Sequence, residues 1–386
     1  MSTATQSQSQ TQIQNPALFK SIKVGDLTFP NRIFVAPLTR ARSDHDQRTQ
    51  TPLHALYYAQ RASSGLIVSE ATQISQEGIG YAWTPGIHTD EQVESWKLVN
   101  DAIHNAGGHI FCQLWHVGAI SHPVFQRDNG QPVSSSVWTP EGQAFVGSYH
   151  PDGPQVPHEE ARALKMDEIP RILDDYRHAA KQAKAAGFDG IELHAANGYL
   201  IDQFLRDSVN QRDDQYGGSI ENRVRLLTEV VDALCEVLPA NRVGVRLTPI
   251  GGPGNSSDSD PMALYTAAAK AISGKGLAYL HVVRANGHTG SDSAELSEQV
   301  VKAMRKSFDG TFIANGGFTA EEANEWIENG DADAVAFGRL FISNPDLPER
   351  FASGAELNEP DQNTFYGGGA EGYVDYPSLK KTNDAM

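Results

Sequence analysis

The chain has 386 residues, with 39% hydrophobic and 20% charged residues, a balance that describes a folded globular protein and excludes global disorder. Its length suits two ordinary domains or one large α/β barrel. Thirty-one Lys and Arg against 48 Asp and Glu give a formal charge of −17 with no basic patch, which argues against nucleic acid or anionic lipid as partner, and no run approaches about 18 apolar residues, which argues against a membrane span.

The N-terminal residues, 1–17, form a Ser/Thr/Gln-rich string without the charged and apolar regions of a targeting segment, so a disordered polar tail is expected. Residues 21–29 read as two short strands around Gly25-Asp26, a hairpin able to plug one end of a barrel. From there eight apolar, β-rich runs follow at 33–38, 66–71, 109–115, 190–194, 243–247, 278–283, 311–314 and 334–337. Amphipathic helical patterns alternate with them at 52–63, 91–105, 167–186, 220–238, 261–273, 294–306, 320–328 and 346–351. Runs buried on both faces, joined by helices, pair in parallel through right-handed crossovers. The expectation is a single α/β domain over 18–377, a closed (β/α)8 TIM barrel with an N-terminal β-hairpin, followed by a tail at 378–386.

A doubly wound open sheet is the alternative, but it places a GxGxxG turn after its first strand. Here Pro37-Leu38-Thr39-Arg40 stands in that place. A literal GxGxxG at Gly367, Gly369 and Gly372 has neither a strand before it nor a helix after it, so its context is wrong for a nucleotide loop. The third strand is followed by roughly fifty residues rich in Pro, Gly, Ser and His, far beyond a usual connection. This insertion, 118–166, is expected to be a lid or small subdomain over the functional face, the alternative being a loose surface excursion. Cys112 and Cys235 lie far apart in apolar runs and read as buried thiols in a reducing compartment, the cytoplasm. His158 beside Glu159 and Glu160 has no partner histidine at ligand spacing, so no metal is expected.

In a (β/α)8 barrel, reactive groups gather where the strands end. Here those ends offer Thr39, Glu70, Thr72, Gln113, Trp115, His116, His194, Asn197, Arg246, Thr248, Arg284, Asn315-Gly316-Gly317 and Gly338-Arg339. Glycines after the seventh and eighth strands, with Arg339, suit a phosphate cradle, although glycines also serve simply to turn a chain. The absence of a strand-end lysine argues against Schiff-base chemistry. Arg246, among apolar neighbours, needs an anionic partner: either a flavin's N1/C2 carbonyl edge or an ion pair with Glu70 or Glu192. His194 and Asn197 can aim two neutral donors at one oxygen, with Tyr199 offering a proton, or Asn197 can be an ordinary helix cap. Spacing alone leaves that choice even.

Several longer motifs carry a resemblance: Ala36-Pro37-Leu38-Thr39-Arg40, Gly80-Tyr81 with Thr84-Pro85-Gly86-Ile87, Gln113-Leu-Trp-His-Val-Gly118, the run from Glu192 to Leu205, the run from Gln211 to Arg223, and Gly372-Tyr-Val-Asp-Tyr-Pro377. In order, from about Leu18 to Pro377, they resemble the old yellow enzyme family. The resemblance implies an FMN-dependent ene-reductase that binds FMN without a covalent bond and takes its electrons from NADPH or NADH. It places Pro37, Leu38, Thr39, Ala71, Gln113 and Arg246 against the isoalloxazine, and Gly316, Gly317, Gly338 and Arg339 on the phosphate. Ala36, Asn315, Phe337 and His194 complete the cofactor set. His194 and Asn197 then bind the substrate's activating oxygen, Tyr199 protonates the α-carbon, and Tyr81, Trp115 and Tyr366 wall the pocket. Electron-poor alkenes (enones, enals, maleimides, nitroalkenes) are the implied partners, and one site used in turn by coenzyme and alkene removes the need for a separate dinucleotide fold. The chain departs from many relatives in having Asn197 where a second histidine is common and Ala119 where an arginine is frequent. From the strand-end glycines alone, a flavin-free barrel isomerase or lyase, or a non-catalytic flavin-binding protein, are the rival readings.

Overall fold

The computed structural model describes residues 13–147, 155–285 and 292–379. Eight parallel strands form its centre: β1 (Ile33–Val35), β2 (Ile67–Val68), β3 (Ile110–Trp115), β4 (Gly190–His194), β5 (Val243–Leu247), β6 (Tyr279–Val283), β7 (Phe312–Asn315) and β8 (Ala334–Phe337). They pair in chain order, β8 returns to β1, and the pairing of Ile191 with both Val243 and Cys112 keeps β4 between β3 and β5, so the sheet closes. This is a (β/α)8 TIM barrel.

Around it run α1 (Pro52–Ala59), α2 (Asp90–Asn105), α3 (Ile169–Ala185), α4 (Ile220–Cys235), α5 (Pro261–Ile272), α6 (Asp292–Ser307), α7 (Ala320–Glu328) and α8 (Leu347–Ser353). Their starts are chemically marked. Thr89, Ser219, Asp260 and Thr319 each accept a hydrogen bond from a first-turn N–H, and proline opens α1 and α5, where a missing N–H does no harm.

Residues alternate across each strand, so every strand feeds two cores. Ile33, Ile110, Cys112, Leu114, Ile191, Leu193, Val243 and Val245 face outward into the layer shared with the helices. Phe34, Phe111, Tyr279, Ile313 and Ala334 point inward and pack with Ile22, Val24 and Phe29 of the hairpin, whose strands Ile22–Val24 and Leu27–Phe29 flank Gly25-Asp26. Asp26 pairs with Arg242 just before β5. The hairpin therefore seals the amino end of the barrel, and the carboxyl end remains for chemistry.

β3 and β6 each start one residue later than their apolar runs, and two strands are much shorter than theirs. β1 stops at Val35 because Pro37 has no N–H for the ladder. The second run breaks after Val68, where the Ser69 hydroxyl receives the Gln113 N–H, and resumes as Thr72–Gln73 beside the end of β3. The helices Leu200–Leu205 and Arg339–Ser343 have no counterpart in the sequence reading. Within 118–166, Val133–Ser134 pairs with Arg162–Ala163 and Gln143–Phe145 with Gln155–Pro157, while 148–154 lie outside the described residues, as do 1–12 and 380–386 of the expected tails. Among the described residues no helix is long and apolar enough to cross a membrane, and Cys112 and Cys235 are both unpaired.

Candidate active site

The same alternation that seals the lower barrel with apolar rings places a polar layer above them. On β3 to β7, Gln113 is in register with Glu192 and Arg246 with His281, while Arg246 and Asn315 each stand two residues beyond the register partners of Glu192 and His281. Gln113 donates through Nε2 to Glu192 Oε1 at 2.7 Å, and His281 Nδ1 lies 2.9 Å from Glu192 Oε2. Burial opposes the Glu192 charge, but the attraction of His281, with Arg246 and Gln113, outweighs it and holds the carboxyl below its ordinary pKa. Burial lowers the pKa of His281 against the opposing pull of Glu192, whose carboxylate its Nδ1 faces.

This arrangement orients Gln113. A carboxylate only accepts, so the Gln113 amide must give it Nε2 and keep Oε1, which makes no hydrogen bond among the described residues. Arg246 donates Nη2 to Asn315 Oδ1 at 3.0 Å, while its buried Nε has no partner among the described residues. The ion pair weighed for Arg246 is not formed: among the described residues neither Glu70 nor Glu192 lies within 4.0 Å of it. Glu70 instead accepts the N–H groups of Arg40 (3.0 Å) and Ala41 (2.8 Å), fixing the loop after β1 that carries half-buried Pro37, Leu38 and Thr39. Ala36 joins β8 through a 3.0 Å bond to the Phe337 carbonyl.

A cavity of about 950 Å³ runs along the ends of β7 and β8, lined by Leu38, Asn315, Gly316, Gly317, Gly338 and Arg339. Gly316 (φ 118°) and Gly317 (φ 73°) turn the chain there, and a Cβ on Gly316 would meet the Arg284 carbonyl at 2.4 Å. Arg284 braces this turn by donating to the Gly316 carbonyl and to Glu322, its guanidinium lying 3.6 Å from the Phe318 ring centre. An orphaned guanidinium N–H on β5, an uncommitted amide oxygen on β3 and a glycine-lined cavity at the ends of β7 and β8 fit the acceptors and imide N–H of an isoalloxazine and the phosphate of FMN.

The loop after β4 carries the second group of side chains. His194 Nδ1 accepts the Ala196 N–H at 3.3 Å, so the ring proton sits on Nε2. Burial, reinforced by the positive field of Arg246, drives the His194 pKa well below its ordinary value and keeps the ring neutral. Asn197 adopts φ 56° and accepts from the Thr248 hydroxyl at 2.7 Å through Oδ1. Its Nδ2 makes no hydrogen bond among the described residues. The helix that follows is capped at Tyr199, so Asn197 is not the cap. Behind this turn, buried Asp202 accepts the Gly198 N–H at 2.7 Å and pairs with buried Arg206 at 2.9 Å, which donates to the carbonyls of Thr248 and Gly251.

Aromatic rings close the side. Tyr81 stacks on Trp115 with centres 5.3 Å apart, Trp115 and His194 each meet Tyr199 nearly edge-on, and the Tyr81 and Tyr199 hydroxyls are 3.1 Å apart. Ile120 and Trp138 of the insertion join this cluster with Ala71. Tyr366, 46% exposed, lies on the segment bearing the three glycines. Arg40 holds that segment by donating to the carbonyls of Phe365 and Gly372, and Arg42 by donating to that of Thr364. The literal GxGxxG is thus a strap on the barrel rim. Ala119 is fully buried, its N–H bound to Gln203. Tyr81, Trp115, His194, Asn197 and Tyr199 are brought together; from the sequence Thr248 is only one of the strand-end residues and Glu192 only a candidate partner of Arg246, neither with this supporting role, and the Asp202–Arg206 pair is not singled out at all, although Glu192 shares the inward face of β4 with His194.

Over residues 17–358 the chain matches the NADH:flavin oxidoreductase / NADH oxidase family. It is 43% identical to 12-oxophytodienoate reductase 1 of Oryza sativa subsp. japonica, covering 95% of this chain and 94% of that protein. With 12-oxophytodienoate reductase 2 of Arabidopsis thaliana it shares 42% identity over 96% of this chain and 97% of that one. Among solved structures, morphinone reductase superposes with a TM-score of 0.91 at 48% identity, covering 97% of this chain and 99% of the other. The old yellow enzyme homologue from Zymomonas mobilis gives 0.88 at 45% identity, covering 93% and 99%.

Proposed function

The chain belongs to the NADH:flavin oxidoreductase / NADH oxidase family, the old yellow enzyme group of FMN- and NAD(P)H-dependent oxidoreductases, and within it we propose a reductase of alkenes conjugated to a carbonyl or nitro group. FMN, when bound, would supply the hydride chemistry that links NAD(P)H to the β-carbon of the alkene. Gln113 Oε1 and Arg246 Nε, with Pro37, Leu38, Thr39 and Ala71, are the groups to hold its ring; Gly316, Gly317, Gly338 and Arg339 are those for its phosphate.

The observation that carries the reading is the pair of uncommitted neutral donors, His194 Nε2–H and Asn197 Nδ2–H, at the rim of the polar layer. Two such donors stabilise negative charge growing on a substrate oxygen as the β-carbon receives hydride. Because both are neutral, they do so without binding that anion so firmly that the product is retained. Tyr199 then gives its phenolic proton to the α-carbon. Tyr81, whose own hydroxyl is pushed up to about 12 by burial, stays protonated and donates to the Tyr199 oxygen at that moment. The Trp115 and Tyr81 rings and the 118–166 insertion, through Ile120 and Trp138, exclude water from the reacting carbons. Relatives named as reductases of an oxo compound and of morphinone support a carbonyl-bearing substrate.

The test is anaerobic stopped-flow reduction of the FMN-loaded protein with NADH and with NADPH, followed by mixing with cyclohexenone, cinnamaldehyde, N-ethylmaleimide and a nitrostyrene. Rapid reoxidation by these alkenes is expected. Reduction by coenzyme without reoxidation by any of them refutes an ene-reductase.

A further inference from the structure

Resting on the reading above, in which Asn197 donates to the substrate oxygen, we propose that Thr248 is a positioning residue for the reaction: its hydroxyl decides which end of the Asn197 carboxamide faces the substrate. A primary amide is ambiguous. Half a turn about its last bond exchanges the acceptor for the donor at almost no steric cost, and an amide oxygen facing the substrate oxygen repels it. Asn197 is only half-buried, so packing does not settle which way round it stands.

The Thr248 hydroxyl settles it by donating to Asn197 Oδ1 at 2.7 Å, which leaves Nδ2 for the substrate. Were the amide to turn over, Nδ2 could still donate to the hydroxyl oxygen, but the buried O–H would be left with no acceptor, since it has no other among the described residues. The hydroxyl is itself well aimed. Thr248 follows directly on β5, its side chain is β-branched with few rotamers, and its carbonyl accepts from Arg206 Nη2 at 2.9 Å. The same Arg206 pairs with Asp202, which holds the Gly198 N–H next to Asn197. One buried ion pair thereby fixes the loop after β4 and the loop after β5 at the two ends of the Thr248–Asn197 bond.

The test uses FMN-loaded Thr248→Val and Thr248→Ser proteins, with 4-hydroxybenzaldehyde as probe, its phenolate standing for the charged substrate oxygen and its binding read from the long-wavelength band it produces over oxidised flavin. Thr248→Val is expected to weaken binding of the phenol on the order of tenfold and to lower kcat/KM for cyclohexenone in proportion. Thr248→Ser, which keeps the hydroxyl, restores both. In an Asn197→Ala background Thr248→Val changes neither, because no amide remains to orient. Wild-type affinity in Thr248→Val, or an equal loss in the Asn197→Ala background, overturns the proposal. Should the Val variant fail to fold, Thr248→Ala makes the same comparison. If His194→Ala and Asn197→Ala also bind the phenol normally, the proposed function falls with it; if those two are impaired and Thr248→Val is not, only the role of Thr248 falls.

Discussion

Burial pushes the Glu70 carboxyl up from 4.5 to about 7, against the pull of the Ala41 and Arg40 N–H groups and the more distant charges of Arg40 and Arg42. A carboxyl whose pKa is higher in the folded than in the unfolded protein binds more protons when folded, so stability falls as pH rises from the unfolded value through the folded one and is flat outside that window. The interval from 4.5 to about 7 corresponds to about 3.4 kcal/mol at most. Glu70→Gln keeps an oxygen for both N–H groups and removes the titration. The variant should match the wild type near pH 4.5 and become progressively more stable than it up to about pH 7, the gap then holding constant. Urea unfolding of both proteins across that range measures the difference directly, since titrations common to both cancel. A difference that does not change with pH, or one that favours the wild type as pH rises, would mean that Glu70 is ionised throughout by its arginines, and the reasoning would be wrong.

Other expectations follow from the same geometry. His194→Ala should retain FMN, seen in its visible spectrum, but lose on the order of a hundredfold in turnover, because a donor aimed at developing charge is worth about 3 kcal/mol. The pKa of His194 lies well below its ordinary value, so wild-type kcat/KM should show no inflection from its ionisation near pH 6.5, and a step there that vanishes in His194→Ala contradicts the neutral ring. Tyr199→Phe should slow reoxidation by cyclohexenone while sparing reduction by coenzyme; stopped-flow traces showing both halves slowed would deny it the proton-donor role. Arg206→Met leaves Asp202 buried without its cation and should destabilise the fold by about 3–5 kcal/mol in urea, with Asp202→Asn in the same chain recovering part of the loss.

The barrel is legible in the sequence because its strands are buried on both faces, and runs such as 190–194 and 243–247 coincide with β4 and β5 to the residue. The helix Leu200–Leu205 was missed for the opposite reason: every one of its residues is buried, so it has no polar face to set a helical period. His194, Asn197, Tyr199 and Arg246 could be found because they stand at strand ends. The pairings that support them could not be read, because each joins partners far apart along the chain, Glu192 with His281, 89 residues on, and Asn197 with Thr248, 51 residues on. The alternation in Gly190-Ile-Glu-Leu-His194 does place Glu192 and His194 on one face, and that signal was available.

Arg40 meets the carbonyls of Phe365 and Gly372 across 325 and 332 residues of intervening chain. A late strap of the barrel rim is thus seated on the loop that follows the first strand, and closing so long a stretch of chain costs conformational entropy that only a gathered barrel can offset. Most barrel strands meet the next strand in the chain, whereas this strap, like the β8–β1 pair that closes the sheet, joins distant stretches, so in refolding its docking is expected to follow the gathering of the strands.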